Sequence, residues 1–112
     1  MNVGSTAGRN IYDNHTAYNG TKFAVHAMSE GLRREGSPHN VRVTVVAPGM
    51  VDTELTRGTT NQKILDDREK YSESIGGALS SDDIARAMLF AYEQPQNVCI
   101  WELALAPTKQ LT

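Results

Sequence analysis

Residues 17–47 read AYNGTKFAVHAMSEGLRREGSPHNVRVTVVA. Ala24, Ala27, Met28, Gly31 and Leu32 recur at the i, i+3, i+4, i+7 spacing of a buried helical face. The spacing predicts a helix over Ala17–Glu35. Gly36-Ser37-Pro38 closes it, because glycine accepts a helix-ending conformation and proline cannot continue the ladder. The period then changes. Val41–Ala47 is mostly apolar and β-branched, as expected of a strand covered on both faces of a parallel sheet. Pro48-Gly49 stops it.

Outward from that helix and strand, Met1–Gly4 reads as the tail of a strand entering a small-residue turn, Ser5–Gly8, and Arg9–Thr16 as a polar loop. Downstream, Asp52–Leu55 suggests a short helix. Residues 57–77 are polar and weakly periodic, with a helix expected around Gln62–Ser72, where Asp66, Asp67, Arg68 and Glu69 form a solvated face. Ser80/Ser81 before Asp82-Asp83 is the pattern of a helix N-cap with acids in the first turn. Ile84, Ala87, Met88 and Ala91 continue as a helical stripe, Pro95 and Asn97 close it, and Val98–Leu105 reads as a last strand. Strand, helix, strand, loop, helix, strand is the order of an α/β fold: three parallel strands with flanking helices, in a single domain over residues 1–112.

Composition narrows the function classes. With 112 residues the chain makes one small domain, and 39% hydrophobic residues make a packed core feasible. A net charge of −2 argues against a general nucleic-acid binder, which needs a basic face. No apolar run approaches the length of a membrane span, and no basic stretch followed by an apolar one opens the chain. The expectation is therefore no membrane partner and a cytoplasmic setting. Cys99, the single cysteine, sits between Val98 and Ile100 and reads as a buried, inert thiol. His15, His26 and His39 lack metal-ligand spacing, so no metal is expected. Trp101 is expected in the core or an interface, and Arg33 and Arg34 at the helix C-terminus.

Two short motifs carry chemistry. GSTAG spans Gly4–Gly8, and YNGTK spans Tyr18–Lys22, with Ser5 thirteen positions before Tyr18. Tyr and Lys at i and i+4 share one helix face, so a hydroxyl, a phenol and an ammonium can converge on one substrate oxygen. Taken singly, Ser5 reads as a turn residue and Tyr18 and Lys22 as an exposed first turn.

Together these stretches resemble the short-chain dehydrogenase/reductase family. Asn2-Val3-Gly4-Ser5-Thr6-Ala7-Gly8 is similar to the family's Asn-x-x-Ser-x-Ala-Gly strand end. Tyr18, Thr21 and Lys22 fit its Tyr-x-x-x-Lys motif, and Pro48-Gly49-Met50-Val51-Asp52-Thr53 its Pro-Gly-x-Val-x-Thr stretch. The resemblance implies a partial Rossmann-like doubly wound sheet and an NAD(P)-dependent oxidoreductase acting on an alcohol or carbonyl. It implies catalytic roles for Ser5, Tyr18 and Lys22. Tyr18 would exchange a proton with the substrate oxygen as hydride moves, Lys22 would favour the phenolate and hold the nicotinamide ribose, and Ser5 would hydrogen-bond the substrate oxygen. Cofactor contacts would come from Lys22 and from the Pro48, Gly49, Val51 and Thr53 segment, with Val51 backbone groups and the Thr53 hydroxyl anchoring the carboxamide. The cofactor would be NADP or NAD.

The resemblance covers only the second half of the family's fold. A chain beginning at Met1 is expected to lack the glycine-rich pyrophosphate turn and either to hold at most the nicotinamide end or to use no cofactor at all. Two further expectations follow. One is a cofactor-independent esterase with Ser5 as nucleophile, a base from Tyr18 or Lys22, an oxyanion site of N–H groups around Gly4–Ala7, and an ester as substrate. The other is an inactive fragment that pairs as a homo-oligomer, most simply a dimer, through the Met1–Gly4 edge and an apolar stripe of the Tyr18–Arg34 helix.

Overall fold

The computed structural model describes all 112 residues. Three strands form one parallel sheet in the order β1-β2-β3: β1 is Asn2–Val3, β2 Val45–Pro48 and β3 Glu102–Leu105. Asn2 lies opposite Val45, and Val45 opposite Glu102. Helix α1 (Thr16–Gly36) joins β1 to β2, and α2 (Gln62–Ser74) and α3 (Ser81–Tyr92) lie between β2 and β3. The α/β class and the three parallel strands with flanking helices agree with the sequence reading.

The strands are shorter than the apolar runs that announce them. Of the Val41–Ala47 run only Val45–Ala47 enters the sheet, and all four residues of β2 are buried. Val41 and Arg42 lead in from outside. The Arg42 guanidinium instead donates to the carbonyls of Tyr92 at 3.0 Å, Gln94 at 2.8 Å and Val98 at 3.2 Å. It satisfies acceptors left at the C-terminal end of α3 and ties that end to the approach to β2.

The core is small. Its buried apolar residues are Ala7, Val45, Val46, Ala47, Ile75 and Ala91. The Cα radius of gyration is 15.4 Å, against roughly 13 Å for a compact chain of this length, so much apolar surface stays open. Several sequence expectations change here. Ala24, Ala27, Met28 and Leu32 are exposed rather than buried, Met28 by 60%. The side of α1 facing the sheet instead carries Asn19, Val25, His26 and Ser29. The apolar stripe of α1 therefore faces away from the sheet. Trp101 is 63% exposed, with the Arg33 guanidinium 3.9 Å above its ring, so it is not a core residue. Cys99 is only partly buried, its thiol 3.6 Å from the Val43 carbonyl.

Helix α3 begins as its sequence requires. Ser80 Oγ accepts from the Asp83 N–H at 3.1 Å, while Asp83 Oδ2 accepts from the Ser80 N–H at 2.8 Å, a reciprocal capping box. The Ser80 hydroxyl first, then its backbone N–H and Arg86, hold the Asp83 carboxyl below its ordinary range.

Candidate active site

The C-terminal ends of parallel strands are where α/β proteins place ligands, because the chain there leaves the sheet and exposes backbone groups. Every candidate site residue lies at such an end or one turn into α1. Ser5 follows β1 and is 8% exposed. It caps a 3-10 turn at Thr6–Gly8, its Oγ accepting from the Ala7 N–H at 3.1 Å. The same hydroxyl points to the Pro48 carbonyl at 3.5 Å, which links the ends of β1 and β2.

Tyr18 and Lys22 stand one turn apart on α1, as their spacing requires. Lys22 Nζ lies 5.6 Å from the centre of the Tyr18 ring and donates to the Val3 carbonyl at 3.3 Å. That bond draws the ammonium to the end of β1, two residues before Ser5. Tyr18 is 37% exposed, so its phenol remains open to a substrate. No hydrogen bond joins Ser5 to Tyr18. The structure brings the three residues to one end of β1 but leaves their reacting atoms unlinked.

Asn19 binds this corner together, a role that sequence reading missed. It is 2% exposed, and its Nδ2 donates to the carbonyls of Ala7 at 3.0 Å and Asn10 at 2.6 Å. Asn19 thus holds the turn from the same stretch of helix that carries Tyr18 and Lys22.

The Pro48–Thr53 segment leaves β2 beside β3. A Cβ on Gly49 would sit 2.7 Å from Ala106 Cβ, so only glycine fits this crossing. Gln110 Oε1 accepts from the Met50 N–H at 2.9 Å. The Val51 N–H makes no hydrogen bond, whereas the Val51 carbonyl accepts from Arg68 at 2.9 Å. Thr53 Oγ1 accepts from the Leu55 N–H at 3.4 Å and keeps its own proton available. The short helix expected near Asp52–Leu55 is a single 3-10 turn, Glu54–Thr56. Beside it, Met50, Asp52, Thr56, Leu65, Arg68 and Glu69 line a cleft of about 390 Å³.

These residues fit the nicotinamide end of a dinucleotide. The Val51 N–H and the Thr53 hydroxyl donate to nothing within the chain, Lys22 keeps ammonium protons beyond the one given to Val3, and the Val51 carbonyl is held by Arg68. An oxyanion site in the first turn fits less well. The N–H of Gly4 is bonded to the Val46 carbonyl, that of Ser5 faces His26, and that of Ala7 is bonded to Ser5 Oγ.

The short chain dehydrogenase family model matches residues 1–64. The chain belongs to this family. An uncharacterized oxidoreductase of Staphylococcus saprophyticus is 35% identical over 112 residues, covering 98% of this chain and 44% of that protein. Among solved structures, the closed form of a serine dehydrogenase complexed with NADP+ superposes with a TM-score of 0.86 at 29% identity, covering 99% of this chain and 44% of the other. The 3-ketoacyl-(acyl-carrier-protein) reductase of Brucella melitensis, complexed with NADH, gives a TM-score of 0.74 at 28% identity, covering 96% of this chain and 43% of the other. The chain thus spans less than half the length of these relatives. No helix is long and apolar enough to cross a membrane.

Proposed function

We propose that these 112 residues supply the proton relay and the nicotinamide end of an NAD(P)-dependent oxidoreductase acting on a small alcohol or carbonyl, and that the contacts to the rest of the dinucleotide come from outside them. The observation that carries this reading is Lys22, held to the Val3 carbonyl and lying beside the open Tyr18 phenol. An ammonium this close can offset the negative charge that develops as the phenol exchanges a proton with a substrate oxygen. Ser5, at the end of the same strand, offers a hydroxyl to the substrate oxygen. The cofactor, when bound, supplies or accepts the hydride. Lys22, Val51 and Thr53 orient it, and Pro48 and Gly49 carry that segment across the ends of β2 and β3. The relatives complexed with NADP+ and with NADH support either dinucleotide.

The cleft at Asp52 and Arg68 suits a small polar substrate. A serine dehydrogenase among the relatives supports the same class. Ester cleavage through Ser5 has less support, because three of the four N–H groups of Gly4–Ala7 are already bonded and only that of Thr6 is left.

The test is hydride transfer from millimolar NADPH or NADH to a small ketone, followed by loss of reduced-nicotinamide absorbance. The expected result is slow turnover that rises with cofactor without saturating and is lost in Tyr18→Phe. Turnover unchanged in Tyr18→Phe would overturn the assignment. Hydrolysis of a p-nitrophenyl ester that Ser5→Ala abolishes, with no hydride transfer, would favour the esterase instead.

A further inference from the structure

His26 stands outside the set of residues the sequence motifs name, yet its side chain packs against the Ser5 turn. Its ring edge lies close to the backbone at both ends of GSTAG. A Cβ on Gly4 would meet His26 Cδ2 at 2.8 Å, and one on Gly8 would meet Cδ2 at 2.5 Å and Nε2 at 2.6 Å. The two glycines leave the space that the imidazole fills. Between them, the Ser5 N–H points to His26 Nε2 at 3.4 Å. The other ring nitrogen, Nδ1, lies 3.9 Å from Glu102 Oε1, and the side chain is only 13% exposed.

Glu102 is itself fixed. Both of its oxygens accept from the Arg9 guanidinium in a two-pronged pair that joins the residue after the turn to the start of β3. The Glu102 carboxylate, by hydrogen bonding first and by charge second, raises the guanidinium above its ordinary value. A carboxylate held on the Nδ1 side favours the tautomer protonated there, which leaves Nε2 as an acceptor.

We propose that His26 is a positioning residue for Ser5. The neutral ring accepts the Ser5 N–H and sets the peptide from which Ser5 Oγ projects. Protonation at Nε2 would bring two donors face to face, and the Ser5 peptide would then move away from the ring. Other charges facing the ring are Glu102 from β3, Arg9 after the turn, and Glu30 and Arg33 from α1, all lining one open cleft with Cys99. The inference rests on the reading of Ser5 as the group that meets the substrate oxygen.

The experiment follows the Ser5 amide cross-peak and the His26 ring signals of the full chain by NMR from pH 8 to pH 5, the range in which imidazoles charge. The Ser5 amide is expected to shift with the same midpoint as the His26 ring, and the ring to carry its proton on Nδ1 at high pH. His26→Gln, which keeps a neutral acceptor, should leave the Ser5 amide flat across the range with a dispersed spectrum, and its fold is more secure than that of His26→Leu. A Ser5 amide that ignores the His26 titration, or that still titrates in His26→Gln, overturns the proposal. So does a ring protonated on Nε2 at high pH. These outcomes are independent of the hydride-transfer assay, so either reading can fail while the other stands.

Discussion

Helices α1 and α3 obey opposite rules. α3 turns apolar side chains inward, half-burying Ile84, Ala87 and Met88 and leaving Ala91 4% exposed, while Leu89, Phe90 and Tyr92 stay in the open. α1 turns Asn19, His26 and Ser29 to the sheet side and leaves Phe23, Met28 and Leu32 in the open. Its polar contacts are satisfied. Ser29 Oγ accepts from Asn2 Nδ2 and donates to the Val25 carbonyl, and no buried side-chain polar atom in the chain lacks a partner. The contrast separates two jobs. α3 is held by apolar burial and its cap, whereas α1 is held by directed bonds to the turn that carries Ser5. Directed bonds fix a backbone in a way that apolar contact does not.

The largest effect should come from breaking the polar side of α1. Asn19→Leu leaves the Ala7 and Asn10 carbonyls without their donor and should cost about 3 kcal/mol in urea unfolding. Gly8→Ala should cost about 2 kcal/mol, because the new methyl meets His26 and, at 2.9 Å, the Lys22 carbonyl, which cannot swing aside. Removal of the α3 cap in Ser80→Ala should cost about 1 kcal/mol by the same measurement, with the Ser5 corner intact.

The open face of α1 gives a smaller change in stability and a different readout. We expect it to be covered by a second copy of the chain. Met28→Glu with Leu32→Glu should change unfolding by less than about 0.5 kcal/mol per site and abolish self-association in sedimentation at micromolar concentration. A wild-type chain that sediments as a monomer contradicts this. The smallest effect is in acid. The Asp83 carboxyl is lowered from its ordinary value of 3.8, so its contribution is complete above that value. It should be lost as the pH falls through the lower folded value. Asp83→Asn should flatten that part of the acid-unfolding curve.

The fold was legible in the sequence because α/β alternation and apolar strands depend on local pattern. α2 and the α3 cap were legible for the same reason. The packing of α1 was not. Periodicity shows that a helix has an apolar face without showing what covers it, and Ala24, Met28 and Leu32 form such a face away from the sheet. The positions of Ser5, Tyr18 and Lys22 could be read because a turn and a helix repeat fix them within a short span. His26, Glu102 and Arg68 were missed for a common reason. Each acts across a long separation, as Arg9 does on Glu102 and Arg68 on Val51, and no spacing rule reaches that far. Gly4 and Gly8 were the available sign, two small residues flanking Ser5 that the ring of a distant histidine requires.

The central claim is that this chain holds the nicotinamide end of the cofactor and not the whole of it. Titration of the isotope-labelled chain with NADPH, read as amide shifts, tests it most directly. The account predicts shifts at Lys22, Val51 and Thr53 that grow through the millimolar range without saturating at micromolar ligand. Saturation at micromolar NADPH, or shifts that bypass those three residues, would contradict it.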